Sequence, residues 1–205
     1  MLNSEKDIKI LVLGRTASGK DTIVRNLCED FGMTQVLSYT TRPRRDGEGD
    51  THTFITPEEA PSYTDRIAET KIGEIEYFAT ATQVSENDIY IIDPPGAAQL
   101  LRSMPDTKFL VVNILADDET RKNRYQKRDK NQKISFEDRD KAETMRFSIW
   151  EELCSVPSNL IDLHQNVVGV MNIPNTNDSK IEELCKMIDE TRMWRFRSLS
   201  EREER

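Results

Sequence analysis

Apolar residues along the chain follow two spacings, short continuous runs and helical periods. The continuous runs are typical of strands that are buried on both faces of a sheet, and they cover residues 8–14, 88–92, 107–115 and 166–173. Between them lie helix-like segments such as 20–31, where Ile23, Val24, Leu27 and Phe31 are spaced for one helix face. Strands that alternate with helices predict an α/β domain with a mostly parallel central sheet.

The segment from about residue 35 to 85 interrupts this alternation. Residues 34–56 predict two short strands around a polar stretch that is rich in arginine and glycine. Thr56, Pro57 and Glu59 form a helix-start signature, so a helix is predicted over 56–70, followed by a strand over 71–82. We therefore expect residues 35–85 to be an insertion into a single domain that spans residues 1–205.

Composition narrows the range of functions. Charged residues make up 32% of the 205 residues and the net charge is −8, which is typical of a globular protein and argues against broad nucleic-acid binding. Three dispersed cysteines suit a reducing compartment, and no apolar stretch approaches the roughly 18 residues of a membrane span. We therefore expect a cytoplasmic protein without nucleic-acid or membrane partners.

The sequence GRTASGKDT carries the clearest chemical signal. Gly14, Gly19 and Lys20 fit the pattern G-x4-G-K between a predicted strand and a predicted helix. In such a loop the backbone N–H groups, including those at Ala17 and Ser18, converge on phosphate oxygens, and the lysine reaches the β- and γ-phosphates. The alternative is a tight strand-to-helix turn with an incidental lysine.

Asp21 stands where the usual phosphate loop has the serine or threonine that binds Mg²⁺, and Thr22 follows one position late. Mg²⁺ dehydrates reluctantly and keeps several waters, so Asp21 and Thr22 could hold it indirectly, through water. Asp21 could equally do no more than cap the helix.

The segment SYTTRPRRDGEGDTHTF places Arg42, Arg44 and Arg45 close together in an acidic chain. Guanidinium groups match phosphate geometry, so the segment predicts a local anion site. A solvated basic loop is the alternative interpretation.

Together, the loop and this arginine segment resemble guanylate kinases, and weaker similarity continues through FATATQV, RYQKRD and FEDRDKAE to about residue 190. The resemblance implies a three-layer α/β/α P-loop fold with a nucleoside monophosphate (NMP)-binding insertion and a lid at about 124–145. It also implies Mg²⁺-dependent transfer of the γ-phosphoryl group of ATP to GMP or dGMP, by a monomer or a homodimer.

The resemblance also implies roles for individual residues. It assigns the acceptor phosphate to Ser38, Arg42 and Arg45, with His52 in the place of a phosphate-contacting tyrosine. It places Glu69 and Thr80 at the acceptor base, and it includes Phe78 and Asp93 in the acceptor site.

The match weakens at two positions. Phe78 replaces a tyrosine that binds phosphate, unless Tyr77 substitutes by a register shift, and Ile91 replaces an aspartate. These changes affect guanine recognition more than phosphoryl transfer.

Three arginines predict the lid. Arg124 and Arg128 are four residues apart on one helix face, and Arg139 follows across a polar loop. Phosphoryl transfer needs positive charge around the transferred group, so these arginines and Lys20 are the predicted catalytic residues. By the same resemblance, Asn172 is expected near the adenine.

Two other functions remain open. A kinase of a sugar phosphate such as ribose 1,5-bisphosphate shares the broader fold and can carry G-K-D-[ST] in its loop, as this chain does. A non-catalytic guanylate-kinase-like interaction module is the other, but such modules lose the loop lysine and the lid arginines.

Overall fold

A computed structural model describes residues 8–44, 49–128 and 134–203. Its central sheet has four parallel strands in the order β6-β1-β7-β8. Their bounds are β1 Ile8–Leu13, β6 Ile89–Ile91, β7 Lys108–Leu115 and β8 Val167–Pro174. The continuous apolar runs therefore form the buried sheet, as the sequence predicts.

Helices cover both faces of this sheet. On one face α1 and α7 pack on side chains such as Ile10, Val12 and Leu110; on the other α3, α5 and α6 pack on side chains such as Leu11 and Val111. The bounds are α1 Lys20–Phe31, α2 Ala81–Glu86, α3 Pro94–Ser103, α4 Asp118–Arg128, α5 Phe136–Ser155, α6 Pro157–Leu163 and α7 Ile181–Glu203. The three-layer α/β/α architecture is confirmed.

A second sheet interrupts the alternation between α1 and β6. Its strand order is β3-β2-β5-β4, with β2 Tyr39–Thr40, β3 Thr53–Phe54, β4 Arg66–Ile72 and β5 Ile75–Thr80. The strand pair β2–β3 is parallel, whereas β5 runs antiparallel to both β2 and β4. This sheet lies within residues 35–85, and its function as an NMP-binding subdomain stays a prediction.

The helix predicted over residues 56–70 is wrong. Thr56 and Glu59 do form the reciprocal bonds of a capping box, with Thr56 N–H donating to Glu59 Oε2 at 2.7 Å. Only the 3-10 turn Ala60–Ser62 follows, however, and β4 begins at Arg66. Pro61 lacks the N–H that a helix interior requires, so the capping signal starts a turn and not a helix.

The C-terminal helix is tied to the sheet by a buried ion pair. Arg192 and Asp88 have side chains that are each 4% exposed, and Arg192 Nη2 lies 2.6 Å from Asp88 Oδ1. Arg192 Nε also donates to the carbonyl of Ile8, at the start of the central strand. Among the helices of the described residues, none is both long and apolar enough to cross a membrane.

Candidate active site

The phosphate loop joins β1 to α1, as the G-x4-G-K pattern predicts. Two of its residues have positive φ, Ala17 at 62° and Gly19 at 91°, and the Ser18 N–H donates to the carbonyl of Arg15. A Cβ on Gly14 would lie 2.5 Å from Ser18 Oγ and 2.7 Å from the carbonyl oxygen of Ile114. The tight path of the loop therefore requires glycine at position 14 and favours it at position 19.

Lys20 begins α1 and is half-buried. Its ammonium makes no hydrogen bond or ion pair with the residues that the structure describes. The helix N-terminus beside it favours anions, because the first N–H groups of a helix have no intrahelical acceptor. Lys20 thus retains its donors for a ligand.

The second half of the loop is held by the segment after β8. Asn175 is buried, and its Nδ2 donates to the carbonyl of Ser18 at 2.9 Å. Arg124 of α4 donates to the carbonyls of Ser18 and Asn175 and pairs with Asp178 at 2.6 Å. Asn175 Oδ1 and Ser18 Oγ are buried without a hydrogen-bond partner in the described part of the chain.

The first half of the loop is held by α5. Arg15 makes two hydrogen bonds of 2.8 Å to the carboxylate of Glu151. These bonds and the charge of Glu151 raise the pKa of Arg15, against the opposing effect of burial. Thr16 donates its N–H, at 2.7 Å, and its hydroxyl to Glu143, and Arg139 Nε donates to Thr16 Oγ1 at 3.2 Å. Arg139 therefore lies against the loop.

On the acceptor side, Ser38 and His52 meet. Ser38 Oγ lies 2.9 Å from His52 Nδ1, and the ring of His52 is 5.8 Å from that of Tyr77. The side chain of Tyr90, in β6, makes a hydrogen bond with the side chain of Ser38. Burial raises the pKa of the Tyr90 phenol, so this phenol stays protonated at neutral pH. Ser38, His52 and Tyr90 thus bring hydroxyl and imidazole groups together beside β6.

Tyr77 and Phe78 lie on opposite faces of the second sheet, because neighbouring strand residues alternate. The ring of Tyr77 approaches His52, whereas the fully buried Phe78 packs against Tyr39 and under the guanidinium of Arg66, 3.9 Å from its ring. Phe78 was expected in the acceptor site, and this expectation is wrong. Tyr77 lies on the face of the sheet that carries His52, and its role in binding phosphate stays a prediction.

The predicted base contacts have other partners in this structure. Glu69 pairs with Arg66 at 2.8 Å, and Arg66 also pairs with Glu76 at 2.7 Å. Thr80 is buried and caps α2, accepting from the Gln83 N–H at 3.1 Å. Base contacts by Glu69 and Thr80 stay a prediction, and each would have to be made beside these existing bonds.

Asp93 follows β6 and caps α3, accepting from the Gly96 N–H at 3.0 Å. Arg146 of α5 approaches the same carboxylate at 3.9 Å. Because Arg139 and Arg146 are seven residues apart on α5, this helix links the phosphate loop with the acceptor side. Arg42 is half-buried, with its guanidinium 5.3 Å from the ring of Phe54.

Comparisons with known proteins bear on the fold and the family of the chain. A guanylate kinase from Syntrophotalea carbinolica is 29% identical over 120 residues, covering 51% of this chain and 56% of that protein. The crystal structure of guanylate kinase from Anaplasma phagocytophilum matches 91% of this chain and 85% of that one, with a TM-score of 0.57 and 21% identity. The chain has the guanylate kinase fold. Both similarities support a relationship with the guanylate kinase family.

No protein-family model matches the chain. The chain spans little more than half the length of the curated guanylate kinase that it matches. Activity, substrates and partners are therefore proposals for this protein.

Several predicted positions in this guanylate kinase fold need correction or lie outside the described residues. Asn172 points away from the loop, because it donates to the carbonyl of Cys154 and accepts from Asn113. Asn175 instead lies beside the loop, and the expectation that Asn172 lies near the adenine stays a prediction. Arg45 and lid residues 129–133 fall outside the described ranges, as does the side chain of Arg128, the last residue of α4.

Sequence reasoning missed Asn175, Glu143, Arg146 and Tyr90. Asn175 follows the last strand by one residue and Arg146 lies seven residues after Arg139, so both had a positional signal. Glu143 and Tyr90 had none, because a helical glutamate and a strand tyrosine occur widely without any role in a site.

Proposed function

We propose that this protein transfers the γ-phosphoryl group of ATP to a nucleoside monophosphate, with GMP or dGMP as the expected acceptor. The observation that carries this proposal is a phosphate loop that Arg124 and Arg139 both contact and whose Lys20 has no partner among the described residues. Phosphoryl transfer asks of a protein mainly that it position the reactants and supply positive charge, and this arrangement does both.

The residues also fit the donor nucleotide. Backbone N–H groups of Ala17, Gly19 and Lys20 would face the phosphates, and the Lys20 ammonium would reach between the β- and γ-phosphates. Arg139 would approach the transferred group from α5.

Mg²⁺ would neutralise phosphate charge during transfer. In the part of the chain that the structure describes, no cluster of three His, Cys, Asp or Glu side chains could hold a metal ion. Mg²⁺ would instead be held chiefly by the nucleotide phosphates and by water, because this cation dehydrates reluctantly. Asp21 and Thr22, in the first turn of α1, would order that water.

For the acceptor, Ser38, His52 and Tyr77 would donate hydrogen bonds to its phosphate, together with Arg42 and Arg45. Tyr90 would orient the hydroxyl of Ser38. The protein would bind no nucleic acid or membrane, would act in the cytoplasm, and would be a monomer or a homodimer.

A kinase of a sugar phosphate is the second candidate. The ion pair between Glu69 and Arg66 favours this second function, because a paired carboxylate is less available for the N–H edge of guanine. Ribose 1,5-bisphosphate would use the same phosphate donors without a base.

A coupled assay of ADP release tests these functions with GMP, dGMP, AMP, UMP, CMP and ribose 1,5-bisphosphate as acceptors. We expect turnover with GMP or dGMP, loss of nearly all of it in Lys20→Ala, and a selective loss of GMP use in Glu69→Gln. Turnover with the sugar phosphate alone would establish the second candidate. An interaction module without activity would turn over none of them.

A further inference from the structure

Glu143 lies in the second turn of α5, and its carboxylate is directed at the phosphate loop instead of solvent. It accepts hydrogen bonds from the Thr16 N–H at 2.7 Å, from the Thr16 hydroxyl, and from Arg139 Nε at 3.3 Å. Its side chain is only 15% exposed. A largely buried carboxylate with three donors, one of them cationic, is held more firmly than a surface acid.

Arg139 is anchored through one of its three nitrogens. Nε donates to Glu143 Oε1 and to Thr16 Oγ1, whereas neither Nη atom donates to any residue in the described ranges. A guanidinium recognises phosphate through paired N–H groups in a fixed plane. Fixing Nε therefore sets the plane in which the remaining N–H groups can meet a phosphate.

We propose that Glu143 is a positioning residue that orients Arg139 for the transferred phosphoryl group, an inference that rests on the proposed kinase function. Glu143 touches neither ATP nor the acceptor in this account. It acts by holding the guanidinium of Arg139 and the N–H of Thr16 in one arrangement. Without it, the exposed side chain of Arg139 would sample many rotamers.

The docking of α5 on the loop does not depend on Glu143. Arg15 is bonded to Glu151 by two 2.8 Å hydrogen bonds and to Thr144 by one of 3.2 Å. Phe147 and Trp150 of the same helix are buried in the core. Removal of the Glu143 carboxylate should therefore leave the helix in place and release mainly Arg139.

A double-mutant cycle in kcat tests this role. Glu143→Ala should lower kcat by about 10- to 100-fold, the range expected when a group is misplaced by about 1 Å, with little change in the KM of the acceptor. In the Arg139→Ala background the same change should cost less than about 3-fold, because residues that act together are not additive. Glu143→Gln, which keeps an acceptor for the Thr16 N–H, should fall between wild type and Glu143→Ala.

Glu137→Ala is the matched control, because this exposed glutamate of α5 pairs with Lys122 on the surface. It should leave kcat unchanged. If Glu143→Ala lowers kcat by the same factor in the wild type and in the Arg139→Ala background, its role is purely structural and the proposal is overturned. A kcat that is unchanged in Glu143→Ala would also overturn it.

A second measurement does not require turnover, so failure of the kinase function can be told apart from failure of this inference. In ¹H–¹⁵N spectra, the Arg139 Nε–H signal should exchange slowly with water in the wild type. It should exchange fast in Glu143→Ala, whereas Glu137→Ala should leave it slow. An Nε–H signal that exchanges equally in the wild type and in Glu143→Ala would refute the positioning role, whatever the activity.

Discussion

Gly19→Ala should destabilise the protein more than the same change at Gly32, although these glycines flank the same helix. Both have positive φ, 91° at Gly19 and 65° at Gly32. A Cβ on Gly32 would meet nothing within 4 Å, whereas one on Gly19 would lie 2.3 Å from Asn175 Nδ2. Both variants therefore pay for an alanine at positive φ, but only Gly19→Ala also brings a Cβ against the side chain of Asn175.

The magnitudes follow from these contacts. A non-glycine residue in the left-handed region costs roughly 1–2 kcal/mol, and this term applies to both variants. Displacing Asn175 also breaks its bond to the Ser18 carbonyl and leaves buried polar groups without a partner, which costs about 1–3 kcal/mol. We therefore expect Gly19→Ala to lose about 1–3 kcal/mol more unfolding free energy than Gly32→Ala.

Urea unfolding of both variants measures this difference, and the effect of alanine on the unfolded chain cancels between them. ATP titration should show weakened binding for Gly19→Ala and wild-type binding for Gly32→Ala. Equal losses of stability, with equal ATP affinity, would refute the reasoning that Asn175 closes on the loop.

Two further variants test other parts of the structure. Asp88→Asn leaves Arg192 buried without its charged partner and should cost roughly 3–5 kcal/mol in urea unfolding at neutral pH. Burial opposes ionisation of Asp88, but bonds from Thr34 and Arg192 outweigh it and lower the pKa of this carboxyl. The stability that Asp88 contributes is thus present above about pH 4, the unfolded pKa, and is lost as pH falls through the lower folded pKa. The gap between wild type and Asp88→Asn should accordingly narrow in acid, and a gap that is constant with pH would contradict this assignment. Tyr77→Phe should raise the KM of the acceptor by about 10-fold or more, the cost of a lost hydrogen bond to a charged group, with a smaller effect on kcat. Tyr63→Phe is the control, because the ring of Tyr63 packs 5.6 Å from that of Phe78, on the face of the second sheet opposite Tyr77. It should not raise that KM, and equal effects would place Tyr77 outside the acceptor site.

The central sheet and its helices could be predicted because the spacing of apolar residues within each segment differs between strands and helices. The run 8–14 is apolar at nearly every position because β1 is the inner strand between β6 and β7. The G-x4-G-K pattern likewise predicts the loop, since the backbone requires glycine at position 14 and favours it at position 19.

The acceptor side was less predictable, because the face to which a strand residue points depends on register. Ala68 and Glu69 form an irregularity in β4 opposite Phe78, and no local pattern announces it. Asn172 and Asn175 are three residues apart, so sequence position alone could not tell which of them reaches the loop. The capping box predicted at Thr56 does form, but a helix does not follow it, because Pro61 interrupts a helix and the next residues pair with β5 as strand β4.

The most direct test of the central claim follows the phosphoryl group itself. With γ-³²P-labelled ATP and GMP, the label should appear in GDP in equal amount to the ADP formed, and Lys20→Ala should abolish both. Label that appears only as inorganic phosphate, or no ADP with any of the acceptors, would contradict the account.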